Sequence, residues 1–268
     1  MPAETYPVGV FDSGVGGLSV VRALRQLLPA QPIHFLGDQA HVPYGPRTLD
    51  EVRGFSFALT RHLLAQGARL IVVACNTASA AALYELRRAF PDTPFVGMEP
   101  AVKPAATHTR SGVVGVLATP ATFQGALYAS VVERFAQGVT LLQDTCPGLV
   151  QQIEAGAVHA PQTRAILEKA LEPMLRQGID TVVLGCTHYP FAIPVIEAIV
   201  GPQVQVIDPS PAVARQVQRL LAERGWLAAG APAGLRVETT SDPEALQTLL
   251  PQLLGENAPV QRAFPPFA

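Results

Sequence analysis

Long apolar runs are missing from this chain of 268 residues, and the longest, Leu70 to Cys75, is far too short to cross a bilayer. Charge is scarce. Only 15% of residues are charged, the net charge is −2, and no basic run or stripe occurs. That excludes a protein that lives on phosphate contacts to DNA or RNA. Cysteine is scarce as well. Cys75, Cys146 and Cys186 form no CxxC pair and leave an odd count. A disulfide scaffold is excluded, and a reducing cytoplasm is the default compartment. The opening stretch, Met1 to Tyr6, has neither a basic start nor an apolar core, so it does not read as a signal peptide. No GxxxxGK[ST] occurs and the one glycine cluster near the N-terminus is not GxGxxG, which leaves a dinucleotide or ATP site without support. Apolar residues, by contrast, make up 49%, which rules out a disordered chain.

What is present is alternation. Short apolar runs at 8–11, 33–36, 70–74, 95–98, 113–117, 139–142, 181–184 and 204–207 read as strands buried on both faces of a parallel sheet. Amphipathic stretches lie between them. Leu18, Val21, Leu24 and Leu28 share one helical face, as do Val52, Phe55, Leu59 and Leu63. Strand, helix, strand, helix predicts a parallel α/β fold with right-handed crossovers.

The chain also repeats. Val8–Ser13 matches Val114–Thr119 and Leu36-Gly37-Asp38 matches Leu142-Gln143-Asp144, both at an offset of 106. Val72–Cys75 matches Val183–Cys186 at 111, and Met98-Glu99-Pro100 matches Ile207-Asp208-Pro209 at 109. Four matches in one order predict two similar halves, with the first boundary just after Pro100, in the polar Thr107–Ser111 stretch. Beyond Pro209 a tail without a counterpart holds a helix (213–224), a strand (235–239) and a final helix near 243–254. Periodicity does not say which half it joins.

In open parallel sheets ligands bind beyond the carboxyl ends of the strands, and the chemistry-bearing residues stand there. Asp12 and Ser13 end the first strand and open Asp12-Ser13-Gly14-Val15-Gly16-Gly17, which reads either as an anion-holding turn or as a plain helix cap. Cys75, Asn76 and Thr77 end the third strand, where a helix N-terminus favours a thiolate. Gly185-Cys186-Thr187-His188 repeats the cysteine and adds an imidazole that can relay a proton. One such cysteine is most simply a small buried residue; two at equivalent strand ends are not. Glu154, at the end of a short helix stopped by glycine, reads as a solvated acid or a functional one, and Cys146 reads as structural. Pro43-Tyr44-Gly45-Pro46 is a rigid loop able to close over a ligand with backbone N–H groups and the tyrosine hydroxyl.

A cleft between two such halves would bring one cysteine to face the other. A thiolate on one side of a carbon removes its proton, a thiol on the other side returns one, and the centre inverts. Cys75, Cys186, His188 and a carboxylate are also zinc donors, but structural zinc ligands come in close pairs and none is here. The strand ends carry no lysine for a pyridoxal group, since Lys103 and Lys169 lie elsewhere. The expectation is α-proton transfer on a carboxylic or amino acid with no cofactor and no metal. Ser13, Asn76, Thr77, Thr119, Thr122 and Thr187 would hold the carboxylates and amine.

At these residues the sequence resembles the glutamate racemases. The matching blocks are Phe11–Leu18, Pro43-Tyr44-Gly45, Ala74-Cys75-Asn76-Thr77, Glu99-Pro100, Cys146-Pro147, Leu184–Pro190 and Ile207-Asp208. The resemblance implies a cytoplasmic enzyme that interconverts L- and D-glutamate and supplies the D-isomer for peptidoglycan. It implies that Cys75 acts on the D-isomer with help from Asp12, and Cys186 on the L-isomer with help from His188 and Glu154. Ser13, Pro43, Tyr44, Gly45, Asn76, Thr77 and Thr187 match the substrate-binding set. The implied fold has residues 1–98 plus 210–268 in one α/β domain and 99–209 in the other, the site lying in the cleft between them, with homodimers common in the family. Two positions depart from the pattern: Ala121 where glycine is usual and His41 where arginine is common. The alternatives are a racemase acting on aspartate or a related substrate such as a hydantoin, a non-catalytic two-lobed binder of a small acid, and a thiol-redox protein, which would need the Cα atoms of its cysteines in near contact.

Overall fold

The computed structural model describes residues 6–263; the stretch read for a leader lies outside that range apart from Tyr6. The chain forms two compact α/β units, one running to Met98 and resuming at Ser210, the other Glu99–Pro209.

The first unit starts with β1 (Val8–Asp12), α1 (Leu18–Leu27), β2 (Ile33–Gly37), α2 (Leu49–Ala65), β3 (Leu70–Val73), α3 (Asn76–Ala89) and β4 (Phe95–Gly97). Helix α2 begins at a reciprocal cap. The Thr48 hydroxyl accepts from the Glu51 N–H, and the Glu51 carboxylate accepts from the Thr48 N–H at 2.9 Å. Its buried side is Val52, Ser56, Leu59, Thr60 and Leu63.

The second unit holds α4 (Val102–His108), β5 (Val113–Ala118), α5 (Pro120–Gln124), α6 (Ala126–Phe135), β6 (Thr140–Asp144), α7 (Leu149–Glu154), α8 (Pro161–Arg176), β7 (Thr181–Gly185), a 3-10 turn (Tyr189–Ala192), α9 (Ile193–Val200) and β8 (Gln205–Ile207). The chain then returns to the first unit with α10 (Ser210–Glu223), β9 (Leu235–Thr239), α11 (Pro243–Leu254) and β10 (Val260–Arg262).

Every strand pair is parallel, in the orders β10-β9-β2-β1-β3-β4 and β6-β5-β7-β8. The central runs β1, β2, β3 and β7 are wholly buried, which is why they read as unbroken apolar segments rather than alternating ones. The returning segment adds two strands to the outer edge of β2. It is tied there by Arg25, whose guanidinium pairs with Glu256 at 2.9 Å and donates to the Ala233 carbonyl at 2.6 Å. Among the described residues no helix is long and apolar enough to cross a membrane.

The registers correct the repeat at two points. Phe11 pairs with both Leu36 and Val73, and Leu117 pairs with Asp144 and Leu184. The first and third matched blocks are therefore in register. Leu36 corresponds to Asp144 rather than to Leu142, and Val96, not Met98, corresponds to Ile207, because Val72 pairs with Val96 and Val183 with Ile207. A slip of two residues keeps every side chain on its face, so pattern matching does not sense it. The polar stretch Thr107–Ser111 is no linker. It ends α4 and turns into β5 inside the second unit, gathered by the Asp180 carboxylate, which accepts from the Thr109 hydroxyl and the Arg110 and Ser111 N–H groups at 2.6–2.8 Å. Burial opposes ionisation of Asp180, but these hydrogen bonds win and hold its carboxyl at about 2.

Candidate active site

In the first unit, Asp12 is the last residue of β1 and is fully buried. One carboxylate oxygen accepts from the Gly17 N–H at 2.8 Å and the Gly14 N–H at 3.3 Å, closing the turn that feeds α1. Gly17 must be glycine for this turn, since a Cβ there would sit 2.7 Å from the Asp12 Cβ and 2.9 Å from the Phe35 ring. Ser13, also buried, donates to the other Asp12 oxygen at 3.5 Å.

Cys75 lies two residues past β3 and is the N-cap of α3. Its sulfur accepts from the Ala78 N–H at 3.4 Å and its thiol reaches the Ser13 hydroxyl oxygen at 3.8 Å. A sulfur at this place meets free helix N–H groups and the positive end of the helix dipole. Asn76 and Thr77 follow in the first turn, each 3% exposed. Neither amide atom of Asn76 has a hydrogen-bond partner. A buried amide left bare costs about 1–3 kcal/mol, so a ligand that satisfies it recovers that cost.

The Pro43-Tyr44-Gly45 loop follows a cis Val42–Pro43 bond. The Tyr44 hydroxyl is not turned to a ligand as the sequence suggested. It donates to Asp38 at 2.5 Å inside the unit, and the ring is 1% exposed. Burial, then the Asp38 charge, raise its pKa well above the usual value, with smaller contributions from Cys75 and Asp12. Asp38 also takes the Thr240 hydroxyl at 2.8 Å and the His41 ring at 2.8 Å. His41, the departure from the arginine pattern, stacks on Phe55 with ring centroids 4.1 Å apart. Asp38 holds this loop, and the sequence marked it only as a repeat position. Its place at a strand end beside Asp12 was the available signal.

In the second unit, Cys186 lies two residues past the register position on β7 that corresponds to Val73 on β3. Its sulfur is 3.8 Å from His188 Nδ1, and His188 Nε2 is 2.5 Å from Glu154 on the last turn of α7. The three form one chain: thiol, imidazole, carboxylate. Burial works to lower the His188 pKa, but its bonds to Cys186 and Glu154 outweigh that and raise it well above 6.5. A protonated imidazole beside a thiol favours the thiolate.

Thr187 is buried next to this chain. The Thr119 hydroxyl caps α5 by accepting from the Thr122 N–H at 3.3 Å, and the two hydroxyl oxygens are 2.9 Å apart. Ala121 sits within α5 without positive φ, so the missing glycine is no obstacle. Cys146 is more than a buried thiol. It is the only non-glycine with positive φ among the described residues, at 43°, and its N–H bonds the Asp144 carboxylate at 2.7 Å. Burial, with the Asp144 charge beside it, pushes its thiol pKa up, away from any thiolate role at neutral pH. The Tyr189 hydroxyl donates to the Thr145 carbonyl at 3.1 Å, bracing the loop that launches α7 and Glu154.

The Asp/Glu/hydantoin racemase family profile matches residues 13–217. A glutamate racemase of Ectopseudomonas mendocina is 53% identical over 97% of this chain and 99% of its own length. One from Roseiflexus is 51% identical over 92% of each. Among solved structures, a glutamate racemase isoform of Bacillus anthracis superposes with a TM-score of 0.88 at 31% identity, covering 97% of this chain and 98% of that one. The Escherichia coli glutamate racemase, solved with L-glutamate and the activator UDP-MurNAc-Ala, gives 0.84 at 31% identity, covering 96% of this chain and 97% of that one.

Proposed function

Since this chain belongs to the Asp/Glu/hydantoin racemase family and, within it, to the glutamate racemases, we propose that it interconverts L- and D-glutamate by a two-thiol transfer of the α-proton. The observation that carries the mechanism is the pair of cysteines at matching register positions, Cys75 past β3 beside the Ser13 hydroxyl and Cys186 past β7 beside the His188 imidazole. The reading requires the two sulfurs to meet opposite faces of one α-carbon. A thiolate takes the proton and becomes a thiol; the opposite thiol gives its proton and becomes a thiolate. The carbon inverts, and no net proton or electron is exchanged with an outside group. A second turnover in the same direction needs the two thiols to reset through solvent.

The roles divide by residue. Cys186 acts on the L-isomer, with the His188 imidazolium stabilising its thiolate and Glu154 holding the ring. Cys75 acts on the D-isomer, its thiolate stabilised by the first turn of α3 and assisted by Asp12. Ser13, Asn76, Thr77, the backbone of Pro43-Tyr44-Gly45, Thr119, Thr122 and Thr187 bind the two carboxylates and the amine. The bare amide of Asn76 supports this, since substrate completes its hydrogen bonds.

We extend the proposal to a cytoplasmic homodimer whose D-glutamate feeds peptidoglycan synthesis. Its three free thiols suit a reducing compartment. Purified protein given each enantiomer in deuterated water tests the mechanism. Racemisation from both sides with deuterium at Cα, abolished by Cys75→Ala and by Cys186→Ala, is the expected result. Turnover of aspartate but not glutamate would move the substrate, and the absence of exchange with any acidic amino acid would sink the catalytic reading. Light scattering of the purified protein checks the dimer.

A further inference from the structure

Away from both thiols, the first unit gathers three metal-type donors from three separate elements. His34 stands on β2, His62 in the last turn of α2 and Glu238 on β9. Both imidazoles aim Nε2 at the same carboxylate oxygen, Glu238 Oε2, at 2.9 Å from His34 and 2.6 Å from His62. The three ligating atoms lie within 4.8 Å of one another, and the side chains are 2%, 9% and 4% exposed. The other carboxylate oxygen accepts from Arg236, whose second guanidinium nitrogen is 2.9 Å from Gln66. An outer partner that turns one carboxylate oxygen inward is the arrangement that orients ligands at metal sites.

We infer that His34, His62 and Glu238 form a binding site for a divalent transition cation, with Zn2+ the best fit, that joins β9 to β2 and α2. The donor set decides the ion. Two imidazoles and one carboxylate suit Zn2+ and its neighbours, whereas Ca2+ and Mg2+ need six or more oxygens that this trio does not supply. In the metal-bound form each ring keeps one proton, on Nδ1, and any proton on Nε2 has exchanged away through solvent, so the bare Nε2 lone pair points along the former hydrogen bond. Ligand atoms about 2.0–2.1 Å from a tetrahedral ion sit roughly 3.3 Å apart, so Oε2 recedes by about half an ångström. Its tether, Arg236, is 44% exposed and free to follow. The fourth position falls to water on the side of His62, the most accessible of the three. The ion takes no part in proton transfer on glutamate, and the site stands or falls separately from the racemase reading.

Cobalt titration of the metal-free, reduced protein is the test, with Zn2+ as competitor. The Cys75→Ala/Cys186→Ala double variant serves as the background, since active-site thiols also bind soft metals. The expected result is one equivalent of Co2+ with d–d absorption and no thiolate charge-transfer band, displaced by Zn2+. The thermal midpoint should rise by several degrees with Zn2+. Glu238→Gln and His62→Gln should each weaken binding at least about 10-fold. Circular dichroism of each metal-free variant checks its fold, and the rim position His62 decides the matter if Glu238→Gln does not fold. No saturable binding in the double-variant background, or binding that His62→Gln leaves unchanged, overturns the inference.

Discussion

The two cysteines occupy matching strand ends and are served in different ways. Around Cys75 the work falls to backbone: the sulfur caps α3, and the nearby acid, Asp12, spends its carboxylate on the N–H groups of Gly14 and Gly17. Around Cys186 it falls to side chains, through His188 and Glu154 in series. The first acid is therefore part of the fold, whereas the second is an addition to it. On the proposed mechanism, a reaction symmetric in its substrates would rest on two unlike half-sites.

The largest effect comes from removing a sulfur. Cys75→Ala and Cys186→Ala should each cut racemisation by at least about 10²–10⁴-fold, the usual reach of a positioned acid or base. Each should still exchange the α-proton of one enantiomer only: L-glutamate for Cys75→Ala, D-glutamate for Cys186→Ala. Exchange of both enantiomers by either variant would break the comparison.

His188→Asn comes next, at about 10²-fold. Because enantiomers are equal in energy, kcat/KM must fall equally in both directions. The asymmetry has to be sought in isotope effects, which should grow for α-deuterated L-glutamate more than for the D-isomer. The same residue carries a pH signature. Its raised pKa means a stabilisation fully present below 6.5 and lost as the pH climbs through the higher folded value. Denaturant midpoints of wild type and His188→Asn should therefore converge at alkaline pH.

Exchanging the acids for amides sharpens the contrast. Asp12→Asn should lower stability by about 1–3 kcal/mol as well as rate, because the Gly14 and Gly17 N–H groups exchange a charged acceptor for a neutral one. Glu154→Gln should cost mainly rate, about 10-fold, and move the alkaline limb of the kcat/KM profile to lower pH as His188 loses a source of its raised pKa. Calorimetry and pH–rate profiles separate the two. The smallest change in stability belongs to Asn76→Ala, which removes a bare buried amide and should melt no lower than wild type while KM for glutamate rises.

Much of this was legible in the sequence. Nine strands were placed to within two residues, because buried parallel strands write themselves as unbroken apolar runs. The strand-end cysteines stood out because the repeat gave each a counterpart, and Asp12 and His188 because they stand at the ends of strands in the same blocks. Strand β10 did not, since Val260–Arg262 is a half-exposed edge of three residues. Two repeat matches slipped by a residue pair that leaves facing unchanged. The trio His34, His62 and Glu238 was invisible for another reason: its members are up to about two hundred positions apart, and no local pattern marks a partner that distant.

The return of the chain to the first unit also sets an order of birth. Residues 99–209 leave the ribosome as one continuous stretch, and the second unit has all its strands before the first does. Until residues 235–239 emerge, β2 keeps an open edge, and His34 and His62 wait without their carboxylate. The first unit is begun before the second and finished after it, so a message cut short before residues 235–239 would leave the edge of β2 uncovered.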